Sequence, residues 1–181
     1  MFSPINLSSP KSFQGRNLTG TARVIHDLVA DIHANIQQWN NFHIQGVTYL
    51  KDITQHKYNK NYSEILQNLC DKLESICDNL DNIVKNLEQI KYKLINISAL
   101  QKTNDKLFIS WPTIKFGEAA ETIHKTYEME AKLKRNLLEN VAHNYTESWK
   151  MLHLATWVYE PFITENLTIL LDSLFIETGH K

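Results

Sequence analysis

The sequence contains few of the residues that interrupt regular structure, with 5 glycines and 4 prolines among 181 residues. Their scarcity argues against a sandwich or barrel of short strands, which needs many turns, and favours a chain built mostly of helices. An excess of positive charge is also missing, because 19 basic residues face 20 acidic ones. The only compact basic cluster comprises Lys132, Lys134 and Arg135, whereas nucleic-acid-binding proteins usually carry a basic stripe along a whole face. We therefore expect an all-α protein that does not contact DNA or RNA directly.

Two further absences concern the location of the chain. The opening residues, MFSPINLSSPKSFQG, do not combine a basic stretch with an apolar core, as a secretory signal peptide does. The most apolar run, Leu167 to Ile176, is interrupted by Asp172 and is far shorter than the roughly 20 residues of a membrane span. We expect a protein that stays inside the cell and has no membrane anchor.

Cysteine is also scarce, and the 2 cysteines are Cys70 and Cys77. On one helix, a separation of seven residues places them about 10.5 Å apart along the axis. This distance exceeds the ~7 Å limit between the α-carbons of a disulfide. Zinc would need further ligands at suitable spacing, and no Cys-x-x-Cys pattern accompanies the pair. The spacing predicts two buried, reduced thiols.

The beginning of the chain divides into a tail and a first helix. Residues 1 to 20 are rich in Ser, Pro, Asn and Gly and predict a disordered N-terminal tail. From Thr21 onwards, apolar residues recur every three or four positions, which predicts a helix. These residues are Ile25, Leu28, Ile32, Ile36 and Trp39. The pattern can be continued to Ile53, with Gly46 as its weak point. We assign residues 21 to 181 to a single helical bundle domain.

The clearest periodicity lies between Tyr62 and Leu100, where leucine and isoleucine alternate three and four residues apart over five heptads. The residues are Leu66, Leu69, Leu73, Ile76, Leu80, Ile83, Leu87, Ile90, Leu94 and Ile97. Such a pattern is typical of a coiled-coil seam or of the inner edge of a bundle helix. Cys70, Cys77 and Val84 widen the stripe, which favours more than one neighbouring helix. The partner helices come either from this chain or from another.

Three more helices are predicted in the C-terminal half. In the stretch FISWPTIKF, Ser110 is suited to cap a helix, Pro112 to occupy its first turn, and Ile109 to pack on Ile114. The third helix then continues along an apolar line to Val141, with Lys134 as its one charged member. A short fourth helix follows Trp149, Leu152 and either Trp157 or Val158 and ends at Pro161. A fifth runs from about Thr164 to Thr178, and Gly179 suits its left-handed C-terminal cap.

These elements predict an elongated antiparallel helical bundle or coiled coil of three long helices plus two short C-terminal helices. Two Glu-x-x-His patterns, Glu121 to His124 and Glu177 to His180, raise the alternative of a helical metalloprotein or enzyme. Di-iron bundles need further inward glutamates, and the heptad helix has no acid at any a or d position. A Gly-x-Ser-x-Gly turn is also missing from the sequence. We therefore expect no catalytic, cofactor-binding or metal-binding residues, and an interaction protein rather than an enzyme.

Tryptophans are the remaining candidates for contacts with partners, because Trp, Tyr and Arg are common anchors of protein interfaces. Trp111, Trp149 and Trp157 fit either the core or an interface. A bundle that tethers membranes is a third hypothesis, although the sequence shows no anchor for it.

A series of residues in the two halves of the chain is distinctive in both order and spacing. In the C-terminal half these are Phe108, Trp111-Pro112-Thr113, Phe116, Glu118, Tyr127, Glu130, Leu133-Lys134-Arg135, Ala142-His143, Trp157, Pro161 and Glu177-Thr178-Gly179-His180. The first helix adds Ala22-Arg23, Asp27, Ala30-Asp31, His33, Ile36, Trp39 and Gly46. Together they resemble the cyclin-dependent kinase 2-interacting protein family over most of residues 21 to 181. The heptad helix is similar in pattern more than in identity.

The resemblance implies a non-enzymatic helical adaptor of the nucleus, associated with chromatin and also with the cytoplasm. The implied role lies in DNA replication and the replication-stress checkpoint, where the adaptor links cell-cycle kinases to replication factors. The implied partners are cyclin-dependent and replication kinases, checkpoint factors, and the subunits and helical co-subunit of an AAA ATPase assembly that acts on replisome proteins and in large ribosomal subunit maturation. We expect a hetero-oligomer without cofactors. The predicted partner-binding residues are Trp111, Pro112, Phe116, Tyr127, Lys134, Arg135, Trp157, Glu177, Thr178, Gly179 and His180.

Overall fold

The computed structural model describes residues 19–55, 64–101, 106–141 and 146–181. These residues form five helices: α1 Gly20–Gln55, α2 Glu64–Leu100, α3 Thr113–Val141, α4 Glu147–Tyr159 and α5 Glu165–Thr178. Within the described ranges, extended pairing is limited to an isolated bridge between Lys106 and Pro112. The predicted all-α class, with three long and two short helices, is confirmed. Nearly all of the predicted tail, residues 1 to 20, lies outside the described residues.

The three long helices lie side by side, with α2 between α1 and α3. The amide of Asn86 donates to Asn35, and the ammonium of Lys72 lies over the ring of Tyr49, so α1 and α2 run in opposite directions. Arg135 near the end of α3 binds Asp78 in the first half of α2, so these helices are antiparallel too. The short helices α4 and α5 pack against α1 and α3.

The heptad stripe of α2 forms the centre of the core. Eight of its ten leucines and isoleucines are buried, and Leu69 and Ile97 pack at its edge. Both cysteines are free thiols, with Cys77 buried and Cys70 half-buried. A buried Leu or Ile side chain contributes about 1.5–3 kcal/mol to stability, so this stripe is a large part of what holds the bundle together. Its neighbours are α1 and α3 of the same chain, which makes α2 the inner helix of a bundle.

The start of α3 differs from the prediction. Ser110 does not cap the helix, which begins only at Thr113. The hydroxyl of Ser110 instead donates to Glu177 Oε2 at 2.9 Å, and the amides of Ser110 and Trp111 donate to Glu177 Oε1 at 2.5 and 2.7 Å. Ile109 and Ile114 are 52% and 56% exposed, so the packing of one on the other stays a prediction. A carboxylate from a distant helix binds these donors more strongly than a local cap would, since its hydrogen bonds are charge-assisted.

The end of α5 follows the prediction. Gly179 adopts the left-handed conformation with φ 80°, and its amide donates to the carbonyl of Ile176. The amide of His180 donates to the carbonyl of Phe175 at 2.8 Å. This pair of bonds is the Schellman motif, which satisfies the last carbonyls of the helix. Among the helices of the described ranges, none has the length and hydropathy that a membrane span requires.

Candidate functional site

The inner side of α4, which faces the bundle, is unusually polar. Its buried residues are Lys150, His153 and Trp157. Lys150 Nζ lies 3.1 Å from Glu147 Oε1. Burial lowers the pKa of His153, which disfavours the charged form of its ring in the fold. Trp157 is the one large apolar side chain that α4 contributes to the core at full burial.

The outer side of α4 is apolar. Its large exposed residues are Trp149, Met151, Leu152, Val158 and Tyr159. At 100° per residue they lie within half of the helix circumference, together with Ser148, Ala155 and Thr156. This outer face, residues 148, 149, 151, 152, 155, 156, 158 and 159, contains no charged side chain. Trp149, which the sequence left open between core and interface, is 49% exposed, and Leu152 on the same line of the helix is 51% exposed.

The rotation of α4 about its axis is set first by Trp157. Its indole lies against Gly46 of α1 and donates a hydrogen bond to the carbonyl of His43 at 3.3 Å. A β-carbon at Gly46 would lie 2.8 Å from Cε2 of this ring and closer still to Cζ2. Gly46, the weak point of the helical pattern, therefore leaves the space that the ring of Trp157 occupies.

A buried ion cluster, His43, Glu130, Lys134 and Glu160, holds the end of α4. Lys134 Nζ lies 3.2 Å from Glu160 Oε1, 3.6 Å from Glu130 Oε1 and 3.1 Å from His43 Nδ1. It also donates to the carbonyl of Trp157 at 3.1 Å, and it lies 4.5 Å from the centroid of that ring. Lys134 and Glu130 are fully buried. The cluster thus joins α1, α3 and the C-terminal end of α4 by charged contacts around two fully buried groups, while His43 and Glu160 stay partly exposed.

The environment shifts the ionisation of the cluster in opposite directions. Burial lowers the pKa of Lys134, while the charges of Glu160 and Glu130 partly offset this effect. Burial raises the pKa of Glu130. Burial alone would also raise the pKa of Glu160, but the hydrogen bond to His43 and the charge of Lys134 outweigh it and hold that pKa below its ordinary value. Glu160 is therefore the main counter-charge of Lys134.

The turn after α4 is fixed on both sides. Glu160 has φ 44°, a left-handed conformation that is uncommon for residues other than glycine. Its Oε1 accepts a hydrogen bond from Trp39 Nε1 at 2.9 Å. Two residues later, the amide of Phe162 donates to Glu130 Oε2 at 3.1 Å. These bonds compensate the backbone strain and orient the outer face of α4 towards solvent.

The structure gathers the predicted partner-binding residues into two groups and leaves one residue apart. Trp111 and Phe116 pack together with ring centroids 5.3 Å apart, beside Pro112 at the start of α3. Glu177 and Thr178 are buried next to this group, where Gly179 and His180 follow them. The second group comprises Tyr127, Lys134 and Trp157, all buried around the ion cluster. As contacts with a partner, these residues stay a prediction, but most of their surface is already used by the fold.

Arg135 lies apart from both groups. Its guanidinium binds Asp78 at 2.7 Å and Asp81 at 2.5 Å and is partly exposed. Burial alone would lower its pKa, but the hydrogen bonds with the two aspartates raise it. Its observed role is to tie α3 to α2.

The two Glu-x-x-His patterns do not form a metal centre in the part of the chain that the structure describes, where no group of three or more potential ligands comes together. The carboxylate of Glu177 is bound by Ser110 and Trp111. The ring of His180 stacks on that of His26 at 4.1 Å between centroids. His124 Nδ1 lies 3.4 Å from Lys91 Nζ. The patterns belong to separate places in the fold.

The sequence did not indicate that His43 and Glu160 belong to an ion cluster or that α4 has an apolar outer face. The stop at Pro161 marks the end of the helix, but the left-handed glutamate before it has no signature in the sequence. The apolar spacing of α4 fits two different inner sides, one with Trp149 and one with Trp157. Periodicity could therefore have indicated that one of these sides forms an apolar outer face. The choice depends on which side Trp157 takes.

Comparison with known proteins gives a consistent group of homologues. The chain is 26% identical over 195 aligned positions to the cyclin-dependent kinase 2-interacting proteins of Homo sapiens and Mus musculus, covering 91% of this chain and 92% of each relative. It is 36% identical over 74 residues to the protein of that name from Xenopus laevis, covering 41% of this chain and 36% of the relative. No protein-family model matches. These homologues confirm the family resemblance that the sequence indicates.

Proposed function

Because the chain is a homologue of the cyclin-dependent kinase 2-interacting proteins, we propose that it is a non-enzymatic adaptor of the cell cycle that binds a cyclin-dependent kinase. The homologues are named for an interaction rather than for a reaction. A protein whose task is to bind other proteins needs a surface that the fold leaves uncovered. The outer face of α4 is the best candidate for that surface.

The observation that carries the proposal is the inverted distribution of side chains on α4. Large apolar residues usually turn inward on a short helix that packs on a bundle. Here Met151 and Tyr159 are 64% and 81% exposed, while Lys150 and His153 are buried. A partner that covered the outer face would gain part of the about 1.5–3 kcal/mol that each such side chain contributes when it is buried. Contiguous exposed apolar residues of this kind commonly mark an interaction site.

The finer parts of the proposal come from the family resemblance. We place the adaptor in the nucleus and on chromatin, with a second location in the cytoplasm. Its proposed role is to link cell-cycle kinases to replication factors during DNA replication and the replication-stress checkpoint. As a proposed subunit of an AAA ATPase assembly, it would act on replisome proteins and in large ribosomal subunit maturation, with ATP hydrolysis by the partner subunits.

The test is affinity purification of the tagged full chain from nuclear extract, with quantitative detection of cyclin-dependent kinases and of AAA ATPase subunits. We expect Leu152→Asp to reduce recovery of at least one of these classes more than tenfold, because a buried carboxylate at an apolar contact is costly. The matched control is Ile44→Asp on α1, a residue that is 63% exposed and lies outside the outer face of α4. Unchanged recovery with Leu152→Asp would show that this face is not the docking site.

A further inference from the structure

A groove of about 320 Å³ lies between the last turns of α2 and the first turns of α3. Its lining includes the apolar residues Ile95, Ala99, Ile114 and Gly117 together with the acidic residues Glu118 and Glu121. Ile95 is 37% exposed and Ile114 is 56% exposed, so the fold leaves part of both side chains uncovered. A cavity of about 150 Å³ is enough to bind benzene. This α2–α3 groove therefore has room for an aromatic side chain.

The two helices are held firmly beside the α2–α3 groove. A β-carbon at Gly117 would lie 3.3 Å from Cγ1 and 3.4 Å from Cα of Ile95, so the helices approach closely there. The hydroxyl of Ser98 donates to the carbonyl of Thr113 at 3.0 Å, which ties the end of α2 to the start of α3. The groove is thus preformed, and an occupant does not have to reorganise the bundle in order to bind.

One edge of the groove is acidic. Glu118 and Glu121, which we call the acidic edge, are three residues apart on α3, so their side chains are neighbours on one face. Both are exposed, and in the part of the chain that the structure describes neither carboxylate forms an ion pair or accepts a hydrogen bond. The ammonium of Lys115 lies over the ring of Trp111, and Lys125, one turn beyond Glu121, contacts neither carboxylate. An occupant that combines an apolar group with positive charge fits such a groove.

The start of α1 lies at the same end of the bundle as the groove. Asn86 of α2 donates to Asn35 of α1 in the antiparallel pair. Gly20 lies 15 residues before Asn35, and Gln101 lies 15 residues after Asn86, so the first residue of α1 is level with the end of α2. The segment of residues 1–18, which precedes α1, therefore joins the fold close to the groove.

This N-terminal segment has the complementary chemistry. Its charged side chains are Lys11 and Arg16, it contains no acidic residue, and Phe13 lies between the two basic residues. From Thr19, the six residues back to Phe13 span about 20 Å when extended. The axes of neighbouring helices are about 8–10 Å apart, so this span equals the distance across α2 from α1 to α3. Tethering also raises the effective concentration of the segment into the mM range, so a weak contact is enough to fill the groove.

The acidic edge disfavours two other occupants. In a symmetric dimer the same patch of both copies meets, so two acidic edges would come together and repel each other. An anionic membrane surface would be repelled for the same reason. The N-terminal segment carries the opposite charge and is already attached nearby.

We propose that residues 11–16 of the chain dock in its own α2–α3 groove. The ring of Phe13 lies in the apolar part of the groove, and Lys11 and Arg16 lie against the acidic edge. The contact covers the groove in the free chain, so another protein that uses this surface has to displace the N-terminal segment first. The inference is independent of the docking role of α4.

The test uses the full chain with a photoreactive side chain, Phe13→p-benzoylphenylalanine. After irradiation, mass spectrometry identifies the residues that are crosslinked to position 13, and we expect these to line the α2–α3 groove. A mixture of isotope-labelled and unlabelled chains separates crosslinks within one chain from crosslinks between two chains. Phe2→p-benzoylphenylalanine is the matched control, since Phe2 is nine residues from the nearest lysine, and we expect its crosslinks to the groove to be at least fivefold fewer.

Charge variants test the acidic edge. Glu118→Lys combined with Glu121→Lys should lower the yield of groove crosslinks at least fivefold. Adding Lys11→Glu and Arg16→Glu to that chain should restore the yield, because the charges are then exchanged between the two sides. The control pair is Glu74→Lys with Glu139→Lys, at exposed glutamates outside the groove, and it should leave the yield unchanged.

A filled groove tests the apolar part. Ala99→Trp should also lower the yield at least fivefold without changing any charge, because the indole takes the place of the ring of Phe13. Ala99 is exposed, so we expect this variant to fold. Circular dichroism checks that every variant keeps the helix content of the wild-type chain.

Several outcomes would overturn the inference. A lack of groove crosslinks from position 13, or groove crosslinks that survive both the charge reversal and Ala99→Trp, would show that the segment does not dock there. Crosslinks only between labelled and unlabelled chains would identify a second copy as the source of the segment. Ala99→p-benzoylphenylalanine that captured another protein from nuclear extract, and not residues 11–16, would identify an external occupant. Flotation with phosphatidylserine vesicles that was lost in Ile114→Asp would identify a membrane.

Discussion

The helices α2 and α4 distribute their side chains in opposite ways. In α2, leucines and isoleucines at heptad positions face α1 and α3, and most exposed positions are polar. In α4, a lysine and a histidine lie on the buried side, while Trp149, Met151 and Leu152 face solvent. The heptad stripe of α2 is buried within one chain, although Ile65, Tyr92, Ile95 and Leu100 of the same helix are exposed, so the pattern of the stripe explains stability. The pattern of α4 leaves large apolar side chains in contact with solvent, and the proposed contact with a partner would bury them.

The largest expected difference lies between two tryptophans of α4. Trp157→Ala should destabilise the chain by about 3–5 kcal/mol, because it empties a fully buried site against Gly46. Trp149→Ala should cost less, on the order of 2 kcal/mol, since half of that side chain is exposed. Urea unfolding followed by circular dichroism measures both. Similar losses in the two variants would contradict the assignment of inner and outer sides.

The ion cluster gives a second test of how α4 is held. Lys134→Met should cost about 3–5 kcal/mol, because it leaves the buried carboxylates of Glu130 and Glu160 without their cation. Lys132→Met is the matched control on the same helix, where the lysine is exposed and pairs only with Glu128. The same urea titration applies. A Lys134→Met variant as stable as the control would mean that the cluster does not hold α4.

A pair of leucines compares the two helices directly. Leu80→Ala in the stripe of α2 should cost about 2–5 kcal/mol, because the side chain is fully buried. Leu152→Ala in α4 should cost only about 1 kcal/mol in the isolated chain, because half of that side chain is exposed. In the presence of a partner that covers α4, we expect Leu152→Ala to lower the affinity for that partner. Equal destabilisation by the two substitutions in the free chain would remove the contrast between the helices.

The smallest expected effect is a dependence on pH that comes from the polar inner side of α4. Burial lowers the pKa of His153 below its ordinary value of 6.5. His153 therefore binds a proton more readily in the unfolded chain than in the folded one. Burial of the neutral ring does not lower stability above pH 6.5, and the free energy of unfolding falls as pH drops below this value. Burial lowers the pKa of His124 and His180 in the same direction.

Unfolding midpoints at pH 7.5, 6.5 and 5.5 measure this dependence. We expect the midpoint of the wild-type chain to fall with pH, and His153→Gln to flatten part of the slope. His33→Gln, at a histidine of α1, is the comparison variant for the loss of a histidine ring elsewhere in the fold. An unchanged slope in His153→Gln would show that this ring titrates alike in the folded and unfolded states.

Much of the fold could be predicted because periodicity reports which side of a helix is apolar. The stripe from Leu66 to Ile97, the break before α3 and the Gly179 cap all depend on interactions within a few residues. The start of α3 was predicted only in part, because a local cap at Ser110 competes with a carboxylate from α5 that no short-range pattern reveals. The side on which α4 packs could not be chosen from the sequence, because both sides of that helix offer tryptophan.

By itself, the sequence determined the all-α class and the number and approximate bounds of the helices, since these follow from the spacing of apolar residues. It also determined the family resemblance, which follows from the identity and order of particular residues. Tertiary structure alone decided that Lys134 is buried with Glu130, Glu160 and His43, and that Gly46 receives Trp157. It also decided which side of α4 faces solvent. These outcomes depend on groups far apart in the chain, whose desolvation and mutual attraction are balanced only once α1, α3 and α4 have packed together.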